Sequence, residues 1–283
     1  MRELFDFQPD QSIDLASRWH PERPSVPSVA FMGMNFSIAS QDTWMSLICA
    51  GDRSGFSYVA TPNVDHMVQL DRRPELREAY DAADHRICDS RILEKLAAQN
   101  EIDLAPFAGS DITRALIEKA TLDGPRIAVC GPILDDFKTL EGLYPNALLT
   151  HIETPMMTRG SAEWAATLER VEETEFDVLL ICISFPKQEL FAYDLKQRGK
   201  ARGIGLCVGA SIDFLTGKQK RAPEMFRAAR MEWAYRLMSN PVRLWRRYLV
   251  DGPRVFALYW SYRRAQVKAA QAARNAAAAS GSL

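Results

Sequence analysis

Cysteine is scarce and scattered in this 283-residue chain: Cys49, Cys88, Cys130, Cys182 and Cys207, odd in number and with no C-x-x-C pair. That spacing signals neither a zinc site nor a disulfide framework, and it predicts small buried hydrophobes in a reducing compartment. The four histidines, His20, His66, His85 and His151, form no ligand spacing or triad. No uncharged apolar run reaches the roughly 18 residues needed to span a bilayer. The amino end, MRELFDFQPDQS, lacks the basic and then apolar layout of a secretory signal. The expectation is a cytoplasmic protein, peripheral if it meets a membrane. Asp-x-Asp, the usual ligand pair of metal-dependent sugar transferases, is also missing.

Net charge is nearly absent too, at −1, but this is an average over two unlike parts. Residues 217–283 hold 14 Lys/Arg and 3 Asp/Glu, a net +11, while residues 1–216 hold 21 basic and 33 acidic residues, a net −12. A basic segment of this kind calls for an anionic partner: nucleic acid, a phosphorylated substrate or an anionic membrane surface. The composition, 47% apolar, is that of a folded globular chain rather than a disordered or fibrous one.

Residues 1–27 are polar and proline-bearing and read as an extended arm. After them, short apolar runs alternate with helical patterns: SVAFMGM (28–34), FSYVATP (56–62), PRIAVCG (125–131), FDVLLICIS (176–184) and GIGLCVGA (203–210). Near-continuous apolar runs suit strands covered on both faces. The intervening QDTWMSLICAGD, PELREAYDAAD, SRILEKLAAQN, SDITRALIEKATLDG, SAEWAATLERVEE and KQELFAYDLKQRG have helical periods, several with Asp or Ser starts and Gly or Asn stops. The alternation predicts an α/β fold with a layered, mostly parallel sheet over residues 28–216. The basic appendage, 217–283, reads as three helical stretches (224–239, 242–250 and 254–278) broken at Asn240-Pro241 and Asp251-Gly252-Pro253, because proline removes a helix hydrogen bond. The terminal NAAAASGSL is low-complexity and is expected to fray.

Ligands of open α/β sheets collect at the carboxyl ends of the strands, so the polar residues following the apolar runs are the first candidates. They are Thr61-Pro62-Asn63, Gly131-Pro132, Ser184 to Glu189, Gly209 to Asp213, and Asp89 after the short run Arg86-Ile87-Cys88. Asp89 also suits the N-cap of the following helix, Asp213 an ordinary cap, Gly131 a plain turn, and Lys187-Gln188-Glu189 a plain helix start.

At these residues the chain resembles the WecG/TagA/CpsF glycosyltransferases (glycosyltransferase family 26), with GumM-like enzymes among the relatives. The resemblance is carried by ATPN (60–63), FPKQE (185–189), VGASIDFLTG (208–217), KRAP (220–223), EWAYRL (232–237) and NPVRLWRR (240–247), and it spans about residues 28–250. It implies a Rossmann-like fold of the GT-E type. It also implies inverting transfer of a hexose or N-acetylhexosamine from a UDP-sugar to a polyprenyl-diphosphate-linked saccharide at the inner face of the bacterial cytoplasmic membrane, in surface polysaccharide biosynthesis. Neither a cofactor nor an essential metal is implied.

Carried over position by position, Asp89 matches the proposed catalytic base, and Thr61, Asn63 and Gln188 match sugar-side contacts. Gly209 and Asp213 would lie by the nucleotide, with Gly131 a further substrate-side position. Arg236, Arg243 and Arg246 match appendage arginines that close over the UDP diphosphate; guanidinium forks fit phosphate oxygens, and the i, i+3 spacing of the last two puts them on one helix face. Two positions depart from the pattern. Ala105-Pro106-Phe107-Ala108-Gly109 stands where relatives show Glu-Arg-Val-Ala-Gly, so the arginine expected at 106 is missing, and Ser184-Phe185 replaces the glycine before PKQE, where a bulky ring would narrow the sugar pocket.

The expected partners are a UDP-sugar donor, a polyprenyl-diphosphate-linked acceptor and, for the Arg/Tyr/Trp residues after Arg254, an anionic membrane surface; a homo-oligomer is left open. Nucleic acid ranks last, because the basic residues coincide with the motif positions. The alternative reading is a non-catalytic UDP-sugar-binding or scaffold paralogue in a polysaccharide assembly complex, for which the missing arginine at 106 speaks.

Overall fold

A computed structural model describes residues 25–280 except 52–53, 121–123, 220–222, 224, 227–231 and 240. All but three residues of the expected 1–27 arm lie outside it. The apolar run at 28–34 does not join the main sheet as expected. Met32 and Gly33, both at positive φ, turn the chain into an antiparallel hairpin of β1 (Ser28–Phe31) and β2 (Met34–Ser37).

Six strands form the main sheet, all parallel: β3 (Phe56–Ala60), β4 (His85–Arg86), β5 (Ile127–Cys130), β6 (Leu149–Ile152), β7 (Val178–Ile181) and β8 (Gly203–Cys207), in the order β4-β3-β8-β7-β5-β6. The central strands β5, β7 and β8 are buried along their whole length, as their continuous Ile/Val/Leu/Cys runs require. Glycine at Gly203 and Gly205 keeps β8 clear of Phe176 and Phe56, whose ring carbons stand where a Cβ would fall.

The helices are α1 (Gln41–Ala50), α2 (Val64–Arg72), α3 (Arg77–Asp81), α4 (Arg91–Ala98), α5 (Gly109–Lys119), α6 (Leu134–Leu143), α7 (Ala162–Glu173), α8 (Lys187–Arg198) and α9 (Ser211–Leu215). Ser40, Asn63, Ser90 and Ser161 start α1, α2, α4 and α7 by accepting first-turn N–H groups. Connections that step toward β4 (β3 to β4, β6 to β7, β7 to β8) carry α2, α3, α7 and α8 on one face, packed around Tyr58, Tyr80, Trp164 and Phe191. Those that step toward β6 carry α5 and α6 on the other face, with α1 and α9, around Trp44, Ile112, Leu116 and Phe137. Right-handed crossovers demand this division.

After Gly217 the chain forms α10 (Glu232–Ser239), α11 (Pro241–Trp245), a π-helical turn (Arg246–Asp251) and α12 (Arg254–Ser280). Pro241 sits at the first position of α11, where its missing N–H costs nothing. The stretch expected as one helix over 242–250 is thus α-helical only to Trp245. The alanine-rich run expected to fray instead continues α12 through Ser280, in keeping with alanine's helix propensity. Nor is α12 only an appendage: Val255 and Tyr259 are buried in the first core, and Phe31 of β1 meets the rings of Tyr259 and Tyr262 at 6.5 and 5.4 Å. No helix of the described residues is long and apolar enough to cross a membrane.

Candidate active site

The strand registers place Ala60, Cys207, Ile181 and Cys130 side by side. One residue further, Thr61, Val208, Cys182 and Gly131 form the last row of the sheet, about 4.8 Å from strand to strand. From this row the chain leaves β3 toward α2, β8 toward α9, β7 toward α8 and β5 toward α6. Each neighbouring pair therefore departs to opposite faces, and the crevice that opens between such departures is where open α/β sheets hold ligands.

The sequence candidates at this edge are brought together, and several carry structural duties as well. Thr61 is buried, and its hydroxyl donates to the Cys207 carbonyl at 2.7 Å, pinning the end of β3 to β8. The Pro62 carbonyl accepts the Asp89 N–H at 3.0 Å, which sets Asp89 beside the Thr61-Pro62-Asn63 turn. Asp89 is half-buried and is not the cap of α4. Ser90 fills that place, its hydroxyl accepting from Leu93 N at 3.2 Å. Asn63 Oδ1 accepts from the N–H groups of Asp65 and His66 and so caps α2.

Gly131 has φ +133°, and a Cβ there would lie 2.5 Å from the Cys182 carbonyl oxygen, so the close approach of two strand ends demands glycine. Asp213 is not a cap either; its Oδ2 accepts from Gln219 Nε2 at 2.8 Å and its carbonyl from Gln219 N, fixing the residues that lead out of the α/β body. Beside them Lys218 pairs with Asp136 of α6 at 2.6 Å.

Gln188 faces inward rather than into the crevice. It is 3% exposed, its Oε1 accepts from Gly209 N at 2.8 Å, and its Nε2 donates to Glu189 Oε1 at 2.8 Å. Glu189, which the sequence places in the FPKQE string at a strand end but gives no role of its own, is 1% exposed and also receives the Tyr80 hydroxyl at 3.0 Å. Burial pushes its carboxyl up to about 7, against the pull of the hydrogen bonds from Gln188 and Tyr80. Phe185 does not fill the crevice as a free ring; it stacks on His66 of α2 at 4.6 Å and packs against the first core. Phe107 N donates to the Cys88 carbonyl at 2.9 Å, so Pro106 stands in a segment tied to the end of β4.

Cys88, Cys130 and Cys207 are buried, as the sequence predicts, whereas Cys49 and Cys182 are half-buried. All are free, and desolvation pushes Cys88 and Cys182 up to about 12 and Cys130 to about 11.

Of the appendage arginines, the side chains of Arg236 and Arg243 lie outside the described residues. Arg246 is exposed and opens the π-helical turn, one residue beyond the end of α11, so the common helix face expected of Arg243 and Arg246 spans a change of helix type. That turn is held to α2 by an ion pair between Arg72 and Asp251 at 2.6 Å. The helix that begins at Asn63, at the mouth of the sheet, thus anchors the basic segment at its other end.

A doubly wound parallel sheet with its polar turns gathered at the carboxyl edge defines an α/β enzyme of the Rossmann-like type. The chain belongs to the Glycosyl transferase WecG/TagA/CpsF family, whose model matches residues 29–269. It is therefore a glycosyltransferase of polysaccharide biosynthesis, and the matched span includes the sheet, the π-helical turn and most of α12.

Proposed function

We propose that this transferase moves a hexose or N-acetylhexosamine from a UDP-sugar to a polyprenyl-diphosphate-linked saccharide, with inversion and without an essential metal. The observation that carries the reading is the juxtaposition of Asp89 with the Thr61-Pro62-Asn63 turn through the Asp89 N–H to Pro62 carbonyl bond. It supports a role for Asp89, a half-buried residue beside that turn, as the group that meets the acceptor hydroxyl. Asp89 takes the proton of that hydroxyl as the hydroxyl oxygen bonds to the anomeric carbon. The bond from that carbon to the diphosphate breaks with its electron pair, and UDP departs. Arg236, Arg243 and Arg246 neutralise the leaving diphosphate. Since any carboxylate is a far weaker base than an alkoxide, deprotonation is concerted with departure.

The acceptor's lipid anchor requires the protein to lie on the cytoplasmic face of a membrane. Supporting this, exposed large apolar side chains concentrate after Gly217, among them Val242, Trp245, Leu249, Phe256 and Trp260, interleaved with exposed Arg246, Arg263 and Arg264.

The test is transfer by the purified protein with membranes, against UDP-glucose, UDP-N-acetylglucosamine, UDP-N-acetylmannosamine and UDP-glucuronic acid. Asp89→Asn is expected to lower turnover by about 100-fold or more at unchanged stability, and full transfer by Asp89→Asn refutes the assignment. Pro106, standing beside β4 in place of the arginine, favours a second reading: a UDP-sugar-binding protein without turnover. Calorimetry that shows UDP binding, with no transfer from any donor, selects it.

A further inference from the structure

A side-chain amide is nearly symmetric in shape, so Gln188 fits its site with either end toward Gly209. Only the oxygen end accepts the Gly209 N–H, and the observed 2.8 Å bond needs that orientation. Nothing at Gly209 itself enforces it. With φ +54° and no Cβ, the residue has backbone freedom that others lack, so its peptide has to be held from outside.

We propose that Glu189 is a positioning residue for the site: by accepting Gln188 Nε2, its carboxyl fixes the Gln188 amide, and through it the Gly209 peptide at the mouth of β8. This rests on the reading that a UDP-sugar binds at that edge.

The links at Glu189 are buried, and the one to Gly209 is half-buried. Glu189 Oε1 takes two donors, Gln188 Nε2 at 2.8 Å and the Tyr80 hydroxyl at 3.0 Å, while Oε2 has no hydrogen-bond partner among the described residues. Oε1 can serve as acceptor whether or not Oε2 carries a proton, so the hold on Gln188 does not depend on the charge of Glu189. Tyr80 steadies the carboxyl from α3, itself buried among Tyr58, His66 and Leu76. On the far side, Cys207 Sγ donates to the Gln188 carbonyl at 3.6 Å and the Thr61 hydroxyl to the Cys207 carbonyl. One chain of contacts thus runs from α3 through the start of α8 to the ends of β8 and β3. A carboxyl buried this deeply, with one oxygen unpaired among the described residues, adds little to stability. Its use is to remove the ambiguity of the amide.

The experiment uses the full chain labelled with 15N-glycine and reads two quantities: hydrogen exchange at the Gly209 amide and UDP affinity by calorimetry. Glu189→Met is expected to speed Gly209 exchange and to raise the UDP Kd, each on the order of tenfold, the equivalent of one lost hydrogen bond. Glu189→Gln, whose Oε1 still accepts, rescues both to within about twofold. Tyr80→Phe disturbs the same interior but leaves Gln188 fixed, so Gly209 exchange stays near the wild-type rate. Gln188→Met reproduces the Glu189→Met effect, and the double variant adds nothing further. A folded Glu189→Met protein with unchanged Gly209 exchange overturns the proposal, as does unchanged exchange in Gln188→Met if Glu189→Met fails to fold. Unchanged UDP affinity in a Glu189→Met protein whose Gly209 amide is loosened also overturns it as a device of this site. Wild-type protein that does not bind UDP refutes the donor reading instead, and the exchange measurements still decide whether Glu189 holds Gly209.

Discussion

A carboxyl raised from 4.5 to about 7 by burial has a definite effect on stability. Between those two values the folded protein retains a proton on Glu189 that the unfolded chain has released, so stability falls as pH rises through the window and is flat on either side. The loss amounts to about 3 kcal/mol. Urea unfolding at about pH 4.5 and about pH 8 should show this drop, and Glu189→Gln should flatten it; a parallel pH dependence in both proteins would locate the proton elsewhere. Gly131 makes a second prediction. Gly131→Ala forces a Cβ against the Cys182 carbonyl and holds a non-glycine residue at φ +133°, which should cost roughly 3 kcal/mol, read as a fall in urea midpoint. Asp89, Thr61 and Gly131 were legible in the sequence because each directly follows an apolar run and strand ends are where ligands bind. Glu189 was not, because its burial is decided by Tyr80 on a different element, and a Lys-Gln-Glu string at a helix start looks like ordinary solvated surface. The inward turn of Gln188 was hidden for the same reason.

Elements with strong periods matched their expected ranges closely, whereas those built on few residues did not. β4 has only two residues, and β6, LTHI, lies at the sheet edge and is half-exposed, so neither offers a continuous apolar run. In α2, VDHMVQLDR, the apolar positions are interrupted by charge, and its start is signalled mainly by the Asn63 cap. That helix links the candidate site to the basic segment through the Arg72–Asp251 pair, whose carboxylate is 10% exposed. Asp251→Ala leaves Arg72 without its partner and is expected to destabilise by roughly 3 kcal/mol, while an Arg72→Met/Asp251→Met double variant recovers most of the loss. Limited proteolysis within residues 232–251 would report the local loosening. If Asp251→Ala is as resistant as wild type, the pair does not anchor the turn.

For the whole molecule, the charge split at Gly217 remains a compositional fact, but it is not a packing boundary. Val255 and Tyr259 lie in the same core as β1, so deleting everything after Gly217 would uncover that core, and lost vesicle binding by such a protein could not be told from unfolding. The sharper test leaves the packed face of α12 alone and changes its outer one, where Phe256 and Trp260 are 47% and 62% exposed. A Phe256→Glu/Trp260→Glu protein should keep its thermal midpoint and lose at least about tenfold in sedimentation with anionic vesicles; undiminished binding removes this face from the membrane contact. The contact between Phe31 and Tyr259 also governs how the protein is made. Synthesis delivers Phe31 early, and its aromatic partners emerge only after more than two hundred further residues. Until then this side of the nascent core has no lid. A ribosome stalled anywhere before α12 therefore holds a chain with an open apolar face, which chaperones or a protease can recognise.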